Sequence, residues 1–173
     1  LKRQPNNLIM SSLTKADWDS KLPIYKIPPQ KLHNQGIRCL LLDVDGTLLN
    51  RNTNKIPDEV KIWIKKSKNL FKLYLISNNP SEKRISTIGN QLGISYKFKA
   101  LKPSKKITLE IINIMNETNK NIAIIGDRIF TDIIVGNRCK INTILVARLN
   151  REGLPIKINL TLIFERILSL LLF

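Results

Sequence analysis

A chain of 173 residues with 43% hydrophobic content can build one domain around a real core and is short for two. It carries 29 basic and 13 acidic residues, a net charge of +16, and 24% charged residues in all, which excludes a collagen-like or low-complexity chain and favours anionic partners such as nucleic acid, phosphorylated metabolites or acidic lipid surfaces. Lys, Asn and Ile recur along the whole chain, so the charge by itself marks no binding patch. Cys39 and Cys139 form no C-x-x-C pair and point neither to a disulfide framework nor to zinc. Lys2 and Arg3 are followed by no long apolar run, which argues against a secretory signal. A reducing, cytoplasmic location is the expectation.

Residues 1–36 read as an N-terminal extension, broken by Pro5, Pro23, Pro28 and Pro29, and residues 37–173 as the domain proper. Trp18, Ile24, Tyr25 and Ile27 are expected on the domain surface or against a partner. His33, the only histidine, is expected to be a surface side chain. Ile37 to Leu42 is an apolar run suited to a strand buried on both faces, and it stops on Asp43 and Asp45 with Gly46 and Thr47 after them. Pro57-Asp58-Glu59 opens a helix whose buried stripe is Val60, Trp63, Ile64 and Ser67.

Phe71 to Ile76 is the next strand, ending on Ser77-Asn78-Asn79. A helix from Ser81 stops near Gly93, and a short strand around Tyr96 to Ala100 leads to Lys102-Pro103. Ser104 is placed to cap a helix with Ile107, Ile111, Ile114 and Met115 as its apolar positions. Asn121 to Ile125 is a strand ending on Gly126-Asp127, with Thr131 and Asp132 beyond, and Asn142 to Ala147 is the last strand. Leu160 to Phe173 is almost wholly apolar and shorter than a membrane span requires. Strands alternating with helices predict an α/β fold, a doubly wound parallel sheet.

Taken alone, Asp43-Val44-Asp45-Gly46 reads as an ordinary turn. Its weight comes from the groups at later strand ends: Ser77, Lys102 and Asp127 with Asp132. In a parallel sheet these ends share one edge. Two carboxylates so close repel, and a divalent cation with oxygen ligands, Mg²⁺, relieves that cost. Asp43 and Asp127 can hold it. The set suits phosphoryl transfer through an aspartyl-phosphate. One carboxylate attacks, Ser77 donates to a phosphoryl oxygen, Lys102 neutralises charge, and Asp45 protonates the leaving alkoxide and then activates water. Receiver domains use similar groups, but their phosphorylated aspartate ends the third strand, not the first.

DVDGT (Asp43 to Thr47), Ser77-Asn78, Lys102-Pro103 and GDRIFTD (Gly126 to Asp132) resemble the four motifs of haloacid dehalogenase (HAD) superfamily phosphatases. The resemblance spans about Ile37 to Ala147. It implies a Rossmann-like HAD core with Asp43 as nucleophile and Asp45 as acid/base. It further implies Mg²⁺ on Asp43, Asp127 and the Asp45 backbone carbonyl. Thr47, Ser77, Asn78 and Lys102 are then on the phosphate, with Asp132 supporting the metal or Lys102. Pro23 to Ile27, Leu92-Gly93-Ile94, Gly126-Asp127-Arg128 and Gly136-Asn137-Arg138 resemble the capless subclass IIIA, YqeG-type branch, similar to phosphatidylglycerophosphate phosphatases.

Only 33 residues lie between Asp43 and Ser77 and 24 between Ser77 and Lys102, too few for a cap domain, so an open site is expected. The function implied is a Mg²⁺-dependent phosphomonoesterase, with phosphatidylglycerophosphate as substrate and peripheral contact with anionic membrane. In that reading Leu160 to Phe173 lies in the interface, with Ile163, Phe164, Ile167, Leu168 and Leu171 inward. The plainer alternative lays this helix on one face of the sheet. Two other functions compete: a phosphatase of soluble sugar, nucleotide or polynucleotide phosphates, and a basic RNA- or ribosome-binding protein with a vestigial site. No aromatic-basic RNA signature is present, so nucleic acid is not the expected partner.

Overall fold

The structure, a computed structural model, describes residues 13–172. Its elements are β1 (Trp18–Asp19), α1 (Pro29–Asn34), β2 (Cys39–Leu42), α2 (Asp58–Lys68), β3 (Lys72–Ile76), α3 (Glu82–Leu92), β4 (Ser95–Lys97), α4 (Lys106–Met115), β5 (Ile122–Gly126), α5 (Ile134–Cys139), β6 (Asn142–Leu145) and α6 (Leu160–Leu172). A π-helical turn, Ile129–Ile133, joins β5 to α5.

All six strands run parallel in one sheet of order β1-β6-β5-β2-β3-β4. Strand β2 is interior, paired with β3 through Leu40↔Leu73 and with β5 through Leu40↔Ala123. From β2 the chain winds to β3 and β4 on one side and later to β5 and β6 on the other. The strand order therefore reverses between β2 and β5, where open α/β sheets form their ligand crevice.

Side chains of β2 alternate between two cores, as the period of a strand requires. Leu40 and Leu42 join Val60, Trp63 and Ile64 of α2 and Ile85 and Ile88 of α3 on one face. Cys39 and Leu41 join Ile111 and Met115 of α4 and Val135 and Cys139 of α5 on the other. Both faces are covered, which is why β2 carries no polar residue.

Helix α2 buries Val60, Trp63, Ile64 and Ser67, the stripe its spacing predicts. Asp58 and Glu59 sit in its first turn, where they meet the positive end of the helix dipole. Ser81 caps α3 by accepting the Arg84 N–H at 3.3 Å. Helix α4 buries Ile111, Ile112 and Met115, while Ile114 is 64% exposed. Ile114 falls off the stripe because Thr108, Ile111, Ile112 and Met115 already fill it.

The stretch before β2 is more deeply integrated than the surface role expected of it. Ile24, Ile27 and Leu32 are buried in the larger core, and the Trp63 indole donates to the Ile27 carbonyl at 2.7 Å. Trp18 and Asp19 add an edge strand to β6. Pro29, expected only to break structure, opens α1 at the position where a missing N–H costs nothing. Residues 1–12 of the predicted extension, and Phe173, lie outside the described residues.

Helix α6 does not lay its apolar stripe on the sheet, the plainer of the two arrangements expected of it; the stripe faces outward, as the interfacial arrangement requires. Ile163, Phe164, Ile167 and Leu171 are exposed, Leu168 is half-buried, and the buried side chain at the centre of the helix is Glu165. The apolar stripe does not lie on the sheet because Glu165 is bonded to the π-helical turn and Arg166 to Asp19. No helix among the described residues is long and apolar enough to cross a membrane.

Candidate active site

Asp43 and Asp127 follow β2 and β5 directly, so the strand reversal sets them side by side at the carboxyl edge of the sheet. Lys102 reaches in from beyond β4 to Asp43 and Asp132. Its ammonium donates to Asp43 Oδ1 at 2.7 Å, to Asp132 Oδ1 at 2.6 Å and to the Ile76 carbonyl at 3.0 Å. All three Nζ donors are thus used, two on carboxylates. Thr47 donates to Asp43 Oδ2 at 3.0 Å. Both oxygens of Asp43 are thereby oriented.

Two glycines make this approach possible. Gly46 has φ +101°, and a Cβ there would lie 2.6 Å from Asp127 Oδ2. At Gly126 a Cβ would lie 2.3 Å from the Asp132 carboxyl, so the strand end must be bare for Asp132 to fold back on it.

One carboxylate oxygen from each of Asp43, Asp127 and Asp132 lies within 4.8 Å of the others, and all three residues are buried. Burial, joined by repulsion from Asp132 and outweighing Lys102, pushes Asp43 up to about 6. Burial and then the charges of Asp43 and Asp132 push Asp127 well above the usual carboxylate range. Burial opposes the charge on Lys102, but Asp132 and Asp43 together hold it above the ordinary lysine range. One lysine against three carboxylates leaves net negative charge in a dry site.

Asp127 Oδ2 is buried without a hydrogen bond. Arg148 Nε is 3.6 Å from it, close enough for attraction but without a bond. An orphaned carboxylate oxygen beside other acids is the donor set of a hard cation. The residues therefore fit a metal held by Asp43 and Asp127, with Asp132 beside them.

The expected residues take differing places. Ser77 is 1% exposed and borders the cleft, and its hydroxyl accepts the Asn79 N–H at 3.1 Å. Asn78 also borders the cleft, but its amide is spent on Lys102, donating to the Lys102 carbonyl at 2.8 Å and accepting the Lys102 N–H at 2.7 Å. It holds the lysine's backbone. Thr47 is fully buried, so its hydroxyl serves Asp43 and not a phosphate in the cleft. Asp45 borders the cleft beside Asp43, but its carboxylate is not part of the acid cluster. Asn79 donates to Asp45 Oδ2 at 2.7 Å, and Arg84 donates to Asp45 Oδ1 through Nη2 at 2.7 Å and Nε at 3.3 Å. Any metal contact from Asp45 falls to its backbone.

These groups border an open cleft of about 250 Å³. Arg51, Arg128 and Arg148 line it together with Lys102, so its rim is cationic while its floor is acidic. That arrangement attracts a phosphate and presents a carboxylate to it.

A family model described as mitochondrial PGP phosphatase matches residues 5–148 of the chain. The chain belongs to this family. It is similar to the probable phosphatase YqeG of Bacillus subtilis, 31% identical over 124 residues that cover 71% of this chain and 72% of that protein. Among solved structures it is similar to an uncharacterized protein from Listeria monocytogenes serotype 4b, with TM-score 0.53 and 20% identity over 73% of this chain and 86% of that one. It also resembles the putative HAD-hydrolase YfnB of Bacillus subtilis, solved bound to magnesium, with TM-score 0.52 and 14% identity over 69% of this chain and 90% of that one. At such identities the two structures speak for the fold, which is that of HAD hydrolases. The protein is a phosphatase of the YqeG and PGP phosphatase type, built on the fold of HAD hydrolases.

Within this PGP phosphatase family member, several site residues were invisible to the motif reading. Arg84 lies on the first turns of α3 and also donates to the carbonyls of Thr53 and Asn50, at 2.6 and 3.2 Å. It ties Asp45 to the loop after β2. Arg148 follows β6, and Arg51 lies in the loop before α2. None sits in a motif, and a basic residue among 29 carries no signal of its own. Glu165 offered one: it is an acid in the middle of an apolar helix.

Proposed function

We propose that this phosphatase removes the terminal phosphate of a lipid headgroup, phosphatidylglycerophosphate, at an anionic membrane surface, through an aspartyl-phosphate on Asp43. The observation that carries the reading is Asp43 itself. It is oriented by Lys102 and Thr47 at the floor of a cationic cleft that no cap domain among the described residues encloses. A headgroup still seated in a bilayer can enter such a cleft. The family's description supports the substrate, and the acid cluster supports a metal.

Asp43 Oδ attacks phosphorus, and the bond from phosphorus to the alcohol oxygen breaks. Asp45, entering the step in its protonated form, gives that oxygen its proton, and the carboxylate left then takes one from the water that attacks the aspartyl-phosphate. Arg84 and Asn79 hold the Asp45 side chain at the cleft for this exchange. The Ser77 hydroxyl steadies a phosphoryl oxygen, Lys102 neutralises charge beside the nucleophile, and Arg51, Arg128 and Arg148 draw the anion in. Asp43, Asp127 and the Asp45 carbonyl, with Asp132 beside them, would hold Mg²⁺, which when bound would offset the repulsion between the nucleophile and the phosphate.

The test measures phosphate release with Mg²⁺ from phosphatidylglycerophosphate in detergent micelles and from soluble sugar, nucleotide and polynucleotide phosphates. The lipid is expected to be turned over fastest. Asp43→Asn is expected to abolish turnover, and Asp45→Asn to cost on the order of 10²–10⁴ in rate while sparing metal binding. Faster turnover of the soluble esters overturns the lipid reading. Near-normal rates in Asp43→Asn overturn the covalent route.

A further inference from the structure

Helix α6 wears its polarity inside out. Leu160, Ile163, Phe164, Ile167, Leu170 and Leu171 recur at helical spacing and are between 44% and 83% exposed. The polar residues turn inward and are satisfied there. Glu165, 2% exposed, accepts the Ile129 N–H at 2.7 Å and Arg128 Nε at 3.2 Å. Arg166 pairs with Asp19, and the Ser169 hydroxyl donates to the Arg166 carbonyl at 2.8 Å. Turning the stripe toward the sheet would leave a buried N–H without an acceptor and break both ion pairs. The outward stripe is thus fixed by bonds on the opposite face. Monomers rarely expose a continuous apolar surface of this kind without a partner for it.

The stripe lies beside the cleft. Arg128 both borders the cleft and bonds Glu165 of α6. Arg148 borders the cleft and also a groove of about 350 Å³ flanked by Ile163, Arg166 and Lys157. Next to the helix, Ile158 is 68% exposed, extending the apolar surface. Apolar side chains flanked by cations complement one surface in particular: the boundary between acyl chains and anionic headgroups.

We infer that the outer face of α6 docks into the surface of an anionic bilayer, lying in the interface with its inner face held to the protein by Glu165. The occupant is lipid because the rim beside the stripe is basic and the helix is too short to span. Docking there brings the cleft bordered by Arg128 and Arg148 to headgroup level. This deepens the lipid-headgroup reading above and rests on it for its purpose, though the docking is measured without any substrate.

The experiment floats the full chain on phosphatidylserine-containing and pure phosphatidylcholine vesicles, a choice that avoids both substrate and product. Strong partition onto the anionic vesicles is expected, and F164D combined with I167D is expected to reduce it at least tenfold. I114D, at an exposed apolar position on α4, is the comparison and leaves partition unchanged. Melting curves check each fold. Should the first variant fail to melt cooperatively, L170D with L171D addresses the far end of the same stripe and is expected to lose partition likewise. No partition by the parent chain, or equal losses in the α4 and α6 variants, overturns the inference. Self-association that the α6 variants abolish, with no flotation, overturns it in favour of a second copy. Turnover of micellar phosphatidylglycerophosphate without vesicle binding removes the docking and leaves the substrate. Vesicle binding with turnover of soluble esters alone does the reverse.

Discussion

Arg84 shows how much of this site depends on single side chains outside any motif. Its guanidinium grips Asp45 through Nε and Nη2, with Nη2 also on the Asn50 carbonyl, and holds the Thr53 carbonyl through Nη1. Arg84→Ala is expected to lower kcat by about 10- to 100-fold on a small phosphate ester, since a misplacement of an ångström costs that much. Arg84→Lys recovers little of this, because an ammonium cannot make the paired contact. An unchanged kcat in either variant would show that Asp45 needs no such hold. Gly46→Ala places a methyl against Asp127 Oδ2 at positive φ. A loss of metal affinity by tenfold or more is expected from titration calorimetry, with a lower melting temperature. The acids and the lysine were legible in sequence because each stands at or within a few residues of a strand end, where the pattern of apolar runs locates it. The arginines were not, because nothing local marks which of many basic residues the fold turns inward. Thr47 and Asn78 were found at the site, but sequence adjacency to the nucleophile and to Ser77 does not say which way a side chain points.

At the scale of elements, α6 separates what periodicity reveals from what it cannot. The apolar spacing announces a helix, and a helix is present. Which face turns inward depends on Glu165, whose partners lie 36 and 37 residues away. Glu165→Ala leaves the Ile129 N–H buried without a partner, and is expected to cost about 1–3 kcal/mol in denaturant unfolding. Phe164→Ala, one residue earlier but exposed, is expected to cost well under that. Equal costs would mean that the helix is held by its outer face. Helices α2 and α3 were readable from caps and stripes alone. The two-residue β1 was not, because so short a strand has no period and exists only through β6.

For the molecule as a whole, the acid cluster sets a dependence on pH. Asp43 titrates near 3.8 when unfolded and near 6 in the fold, and Asp127 is raised as well. Between those values the folded chain binds more protons than the unfolded one, so stability of the metal-free protein falls as pH rises through the window. For Asp43 alone the loss is on the order of 3 kcal/mol, complete above pH 6. A divalent cation replaces the lost protons. The rise in melting temperature on adding Mg²⁺ is therefore expected to be small near pH 5 and large near pH 7.5, and an increment that does not vary with pH would count against the cluster as the metal site.

The pairing of Trp18 with Ile144 has a consequence for how the protein is made. A ribosome releases β1 first and its only neighbour, β6, more than a hundred residues later. At about 5–20 residues per second, this leaves the first strand waiting on the order of 6–25 s. During synthesis the central strands can already assemble while both outer edges of that half stay open. The strand made earliest in this sheet is the last to find its place, and it closes that edge only after its five partners have been made.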